Sequence, residues 1–283
     1  MNPQKRVLAV HDISCVGKCS LTVALPIISA AGIECSVLPT AVLSTHTGGF
    51  AGFTYRDLTD DVMPIADHWQ SLGIKFDAVY TGFLGSFAQI ELMIDLFGRL
   101  GEGSMLLVDP VMADNGVLYK IFPPDFPAGM KKLCAKADVI VPNITEALFM
   151  LGEPYAEPPY TKGFIESLLK KLAGILERPG KIFLTGVCFN RTELGAASYD
   201  VVSGEINYSM SERIDGYYHG TGDVFGSALL SALINGRTPA RAAEIAVGFT
   251  VDSIMRTRLA GTDIRYGVNF EAGLHKLATD VFM

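Results

Sequence analysis

The sequence predicts an α/β fold in which a mainly parallel central sheet is covered by helices on both faces. Three observations predict it. Short apolar runs alternate with longer amphipathic ones along the chain, as strands and crossover helices do. The apolar runs lack the polar alternation of a half-exposed strand, so they read as buried on both faces. With 283 residues, 49% of them hydrophobic, the chain can close one substantial core.

The elements follow in order. Val7 to Val10 reads as the first strand, and a helical pattern from about Ser20 to Ala31 ends at Gly32. Val37-Leu38, Ala78 to Tyr80, Met105 to Val108, Val139 to Val141 and Ile182 to Leu184 read as further buried strands, most with a helical pattern between them. This spacing puts Asp12, Asp109, Asn143 and Thr185 at carboxyl ends of strands, the edge where such sheets bind ligands. Glu153 to Thr161 is surface-loop material. A helix running from the Gly220–Asp223 segment to Asn235-Gly236 is followed by Thr238-Pro239, a cap and first-turn pair for a last long helix towards Arg258. Ala228, Ala232, Ala242, Ala243 and Ala246 are small enough to let these two helices approach closely. No repeat, low-complexity run or linker divides the chain, so residues 1–283 read as a single domain.

Composition narrows the partners. The net charge is −7 with no dense Lys/Arg block, which argues against nucleic acid and against an anionic membrane surface, and for a small molecule. The N-terminal apolar run is too short for a signal peptide core, and no segment reaches transmembrane length. Five cysteines, Cys15, Cys19, Cys35, Cys134 and Cys188, are expected to be reduced thiols of a cytoplasmic protein, with Cys15 and Cys19 serving packing.

His219-Gly220-Thr221-Gly222-Asp223 is the most informative stretch. Its glycines allow a tight turn and close backbone approach, and the helix start behind them offers unpaired amides and a positive dipole end, which suits a phosphate. A fixed carboxylate there repels a phosphate unless it removes a proton from the attacking group. The plain alternative is a turn whose Asp223 caps the helix.

Asn143-Ile144-Thr145-Glu146 has the spacing of a capping box, and equally offers a carboxylate that could order water around magnesium. Asp109-Pro110-Val111 either starts a turn or faces the same phosphates and metal. Together these supply a base, amide donors and metal-holding carboxylates, the parts phosphoryl transfer needs. No Gly-x-x-x-x-Gly-Lys-Ser/Thr sequence or protein-kinase signature occurs, and no glycine pattern supports a dinucleotide fold.

In order along the chain, Asp109-Pro110-Val111-Met112, Asn143-x-x-Glu146 and Gly220-Thr221-Gly222-Asp223 resemble the ribokinase-like superfamily over nearly the whole length, and within it the pyridoxal and pyridoxamine kinases. Ser44-Thr45-His46-Thr47-Gly48, Thr81 to Ser86 and Ile214-Asp215-Gly216 add local likenesses, the first of them to the vitamin B6 branch. The resemblance implies a three-layer fold and ATP-dependent phosphorylation of a vitamer's primary hydroxyl. Asp223 would be the base, and Gly220, Thr221 and Gly222 the anion hole. Asp109 and Glu146 would hold magnesium and, with Asn143, the nucleotide phosphates, while Thr185, Gly186 and Ile214 to Gly216 would line the nucleotide. Thr47 would contact the pyridine, and Phe83 either stacks near it, as an aromatic residue does in relatives, or belongs to the core. The resemblance also implies a homodimer and admits a monovalent cation. Sugar kinases of the superfamily commonly insert a β-sheet lid early, and Thr40 to Trp69 does not read as several strands, so no large lid is expected.

One departure concerns the substrate side. Many pyridoxal kinases have a Ser-His pair near the end of the first strand, where this chain has His11-Asp12-Ile13-Ser14. Asp12 could hydrogen-bond a ring nitrogen or phenolic group, as the acid in the first loop of hydroxymethylpyrimidine kinases suggests, or cap the next helix. Three functions therefore remain open: a vitamin B6 kinase, a hydroxymethylpyrimidine kinase and a nucleotide-binding regulator. His46 and His219 are read as packed or solvated side chains, and Ala113 to Pro124 as a candidate closing loop on its Asp-Asn-Gly turn.

Overall fold

The computed structural model describes residues 4–283. Eleven strands and nine helices follow one another as β1 (Arg6–Val16), α1 (Leu21–Ala30), β2 (Glu34–Thr45), β3 (Tyr55–Asp57), α2 (Thr59–Ser71), β4 (Ala78–Thr81), α3 (Phe87–Leu100), β5 (Met105–Val108), β6 (Ala113–Asp114), β7 (Val117–Leu118), α4 (Phe126–Ala135), β8 (Val139–Ile140), α5 (Ile144–Leu151), α6 (Lys162–Ala173), β9 (Lys181–Val187), β10 (Glu193–Asp200), β11 (Ile206–Glu212), α7 (Thr221–Ile234), α8 (Pro239–Ala260) and α9 (Leu274–Phe282).

Nine strands form one sheet in the order β11-β10-β9-β8-β5-β4-β1-β2-β3. From β2 to β9 the neighbours are parallel, and the two edges are antiparallel. The alternate faces of each central strand enter different cores. Leu8 and Val10 join Val79, Val108 and Ile140 beneath α2 to α6, whereas Val7 joins Tyr80, Leu107 and Phe183 beneath α1, α7, α8 and α9. The result is three layers, with no large lid over the sheet among the described residues. The predicted alanines Ala228, Ala232, Ala242, Ala243 and Ala246 are all fully buried where α7 packs on α8. Thr238 caps α8 by accepting from the Arg241 amide at 3.3 Å.

Four expectations need correction. Asp12 is inside β1 rather than at its end, because β1 continues to Val16 along β2 after its pairing with β4 stops at Val10. A bulge between His11 and Ile13 marks the change. Thr185 and Gly186 likewise fall inside β9, which runs past the last residue of its parallel neighbour β8 to pair with β10. The sheet also gains β3, β10 and β11, which the apolar pattern did not announce. Finally, Cys15 is exposed rather than packed, since it lies on the part of β1 beyond the covered sheet.

Candidate active site

The anion loop is built as its glycines require. Gly220 has φ 73°, and a Cβ there would overlap the Lys18 carbonyl oxygen, so both backbone conformation and contact demand glycine. Gly220 is the N-cap of α7, whose first intrahelical bond runs from Val224 N to Gly220 O at 3.0 Å. The amides of Thr221, Gly222 and Asp223 precede that bond and form the positive end of the helix. Thr221 Oγ1 donates to Tyr218 O at 3.2 Å, closing the approach to the loop.

Asp223 therefore sits in the first turn of α7 and is not its cap. Its Oδ2 accepts from the Ser20 amide at 2.8 Å. Burial pushes the carboxyl up to about 7, opposed by that hydrogen bond and reinforced by Asp12. A carboxyl poised near neutrality is suited to take a proton at physiological pH.

Asp109, directly after β5, is buried and well above the ordinary carboxylate range, first through desolvation and then through the facing charges of Glu146 and Asp223. Glu146 is raised mainly by burial as well. The capping box predicted for α5 is present: the Asn143 side chain accepts from Glu146 N at 2.9 Å and Glu146 Oε2 accepts from Asn143 N at 2.9 Å. Glu146 Oε1 accepts in turn from Met112 N at 3.1 Å, so one carboxylate ties the segments after β5 and β8 together. Asp109 thus faces the charges of Glu146 and Asp223 with no salt bridge to any of the three among the described residues, a charge arrangement that a divalent ion would relieve. No cluster of three or more His, Cys, Asp or Glu among the described residues forms a ready-made metal cage, so a hard cation here would also need water and phosphate oxygens.

Where a nucleotide is expected, Thr185 N donates to Pro142 O at 3.0 Å, and Thr185 bridges to Asn143, bringing Asn143, Thr185 and Gly186 together. Gly186 has φ 78° and faces Ile144. Asp215 lines a cavity of about 300 Å³ with Cys188, Arg191 and Arg213, and its neighbours Ile214 and Gly216 lead into the anion loop. Ala113 to Leu118 is an ordered hairpin whose Asn115 (φ 49°) and Gly116 (φ 76°) make the turn. Gly116 N donates to Thr145 Oγ1 and Asn143 Nδ2 to Ala113 O, which fastens the hairpin to α5.

On the other side, Asp12 is buried, accepts from Ser14 Oγ at 3.1 Å and is raised by desolvation. Thr47 is exposed just beyond β2. Phe83 is half-buried, with its ring 5.8 Å from that of Phe122, so part of it belongs to the core. Sequence reasoning missed Lys18, Ser20 and Arg265, which act here through backbone atoms: the Lys18 carbonyl against Gly220, the Ser20 amide on Asp223 and the Arg265 carbonyl 2.6 Å from His46 Nε2. It also gave no place to Tyr80, whose hydroxyl faces Gly226 of α7 beside Asp109.

Residues 26–267 match the phosphomethylpyrimidine kinase family. The chain belongs to that family. A Bacteroides thetaiotaomicron protein provisionally named a phosphomethylpyrimidine kinase, in a crystal form with pyridoxal, is 35% identical, with 97% of this chain and 96% of that one covered and a TM-score of 0.91. Pyridoxal kinase from Lactobacillus plantarum is 31% identical over 98% of both chains, with a TM-score of 0.89. Among curated relatives, a provisionally named pyridoxine kinase from Staphylococcus aureus is 30% identical over 195 residues, 65% of this chain. The chain spans just under two thirds of that relative's length, 64%. No described helix is long and apolar enough to cross a membrane.

Proposed function

We propose that this kinase-family chain transfers the γ-phosphoryl group of ATP to the primary hydroxyl of a vitamin B6 vitamer: pyridoxal, pyridoxamine or pyridoxine. The observation that carries this reading is the placement of Asp223, with a carboxyl near neutrality, in the amide-rich first turn of α7. Likeness to a protein crystallised with pyridoxal supports the choice of substrate.

In this reading Asp223 removes the hydroxyl proton as the substrate oxygen attacks the γ-phosphorus. The bond to the β–γ bridging oxygen breaks and ADP leaves. Amides of Gly220, Thr221 and Gly222 receive the charge that develops on the transferring group. Asp109 and Glu146 would hold magnesium, which would neutralise phosphate charge. Asn143, Thr185, Gly186 and Ile214 to Gly216 line the nucleotide, while Asp12, Thr47 and Phe83 orient the pyridine. The same reading takes residues 1–283 as one cytoplasmic kinase domain that works as a homodimer and admits a monovalent cation.

A second reading, hydroxymethylpyrimidine phosphorylation, is favoured by the matched family's description and by the buried acid Asp12. An ATP-consumption assay with magnesium, run against pyridoxal, pyridoxamine, pyridoxine and hydroxymethylpyrimidine, separates the two. Turnover of a vitamer supports the first, and turnover of the pyrimidine alone supports the second. Binding of ATP with no turnover of any of the four would point to a regulator.

A further inference from the structure

We propose that His46 is a positioning residue, a neutral imidazole latch that ties the substrate-side loop Thr47–Phe50 to the C-terminal turn Ile264–Tyr266. His46 directly follows β2. Its Nδ1 accepts from Gly48 N at 3.1 Å and its Nε2 lies 2.6 Å from Arg265 O. Only one protonation state satisfies both: a carbonyl oxygen needs a donor, so the proton is on Nε2, and an amide needs an acceptor, so Nδ1 is bare. With both nitrogens engaged by backbone, the ring has none left for acid–base chemistry on substrate.

The ring is held in place on every side. It is buried, and Gly17 passes so closely that a Cβ there would overlap its Cδ2. Phe50 meets it edge-on at 4.9 Å between ring centres, and His219, from the anion loop, lies at 5.0 Å. The turn that accepts from His46 is itself pinned by Asp263, which takes the Arg265 guanidinium and amide. Its other flank accepts from the turn after β1, where Lys18 N donates to Tyr266 O at 2.9 Å. Lys18 stands two residues before Ser20, whose amide holds Asp223. The loop bearing Thr47 and the loop orienting the base are thus both referenced to one C-terminal turn. Through His46, that turn sets the distance between the alcohol's binding loop and the group that deprotonates it.

The latch is pH-sensitive by construction. A proton added to Nδ1 would meet the Gly48 N–H and remove its acceptor. Burial keeps the ring below its ordinary value, opposed by the Arg265 carbonyl and the charge of Asp12. His219 is the other ionisable ring facing it among the described residues, and the Arg265 guanidinium lies over Phe50, paired with Asp263. The latch is therefore closed at neutral pH and opens on acidification below the ordinary histidine range.

The role in substrate binding rests on the vitamin B6 reading, whereas the latch itself does not, and two measurements keep them apart. The first is amide hydrogen exchange on the ligand-free full chain for wild type, His46→Ala and His46→Gln. Loss of the latch raises exchange at Gly48 to Phe50 and Arg265 to Gly267 by about tenfold in His46→Ala while distant strands keep their protection. The Gln variant, which keeps a donor for Arg265 O, restores protection at the turn. The second is KM for pyridoxal and for ATP between about pH 5 and about pH 8, comparing wild type with His46→Asn, whose amide oxygen can still accept from Gly48. Wild-type KM for pyridoxal rises on acidification, that of the Asn variant is flat, and KM for ATP follows neither. Unchanged exchange in His46→Ala would overturn the latch, and an acid rise in pyridoxal KM that persists in His46→Asn would overturn its pH dependence. A wild-type enzyme inactive on every vitamer would sink the substrate reading, and the exchange result would still decide the latch.

Discussion

The Ser20 amide donates to Asp223 Oδ2 at 2.8 Å across 203 positions of sequence. Ser20 adopts φ 54°, a left-handed conformation that a side chain disfavours, immediately before α1. The turn after β1 thereby points one donor at one carboxylate oxygen, and no second donor reaches the Asp223 side chain among the described residues. An orienting bond on one oxygen leaves the other to receive a proton.

Replacing Asp223 by Asn keeps the shape and removes the proposed base. Turnover of the vitamer is expected to fall by about 10²–10⁴-fold with the fold intact. Since the carboxyl lies near 7, wild-type turnover should also lose activity as pH falls through that value, because the protonated acid cannot accept the hydroxyl's proton. A coupled ATP assay across pH tests both, and a near wild-type rate for the Asn variant would remove Asp223 from the mechanism.

Asp109 predicts a trade of stability against activity. Its carboxyl is raised in the fold, so the folded state binds the proton more tightly and loses stability as pH climbs above the ordinary carboxylate value. An Asn there carries no charge to bury beside Glu146 and Asp223. Asp109→Asn should stabilise the ligand-free protein at neutral pH by about 1–3 kcal/mol, read as a raised Tm, while abolishing turnover. A lowered Tm would show that the carboxylate is held by something other than repulsion.

The two glycines of the loop should part company. A Cβ at Gly220 would meet the Lys18 carbonyl and force a left-handed Ala, so Gly220→Ala is expected to lose about 1–3 kcal/mol as well as turnover. A Cβ at Gly222 meets nothing within 4 Å. Gly222→Ala should melt like wild type, and any fall in its turnover then reports obstruction of the approaching phosphate rather than misfolding. Equal Tm losses in the two variants would contradict this.

Tyr80 and Gly226 form a testable pair. A Cβ on Gly226 would come within 2.5 Å of the Tyr80 hydroxyl but 3.3 Å from its Cζ. That hydroxyl has no hydrogen-bond partner among the described residues, so Tyr80→Phe alone should be close to neutral. Gly226→Ala should lift α7 and its Asp223, costing about 1–3 kcal/mol. Adding Tyr80→Phe should recover about half or more, and denaturation midpoints that simply add would refute the coupling.

The parallel strands were legible because strands covered on both faces are continuous apolar runs, as in Val7–Val10 and Met105–Val108. β3 has three exposed residues, and β11, Ile-Asn-Tyr-Ser-Met-Ser-Glu, is only half-buried, so neither carries that signature. Asp109, Asn143, Glu146 and Asp223 stood out as polar residues following apolar runs or glycines. Asp12 and Thr185 were misplaced because their strands outrun the parallel core to pair with longer neighbours. Lys18, Ser20 and Arg265 contribute backbone atoms, and no residue type advertises an amide or a carbonyl. For His46 the residue was visible, but its partner across 219 positions was not.

The sheet order also bears on how the protein is born. β1 is threaded at the centre of the sheet, yet its turn meets α7 and the segment near Glu271, with Lys18 reaching 253 positions to find its partner. During synthesis the amino-terminal strands can assemble while the last helices are still inside the ribosome. Such a nascent chain carries Asp109 and Glu146 but lacks the Gly220–Asp223 segment. A chain released before α7 would therefore lack the contact between the Ser20 amide and Asp223 on which the proposed proton transfer depends.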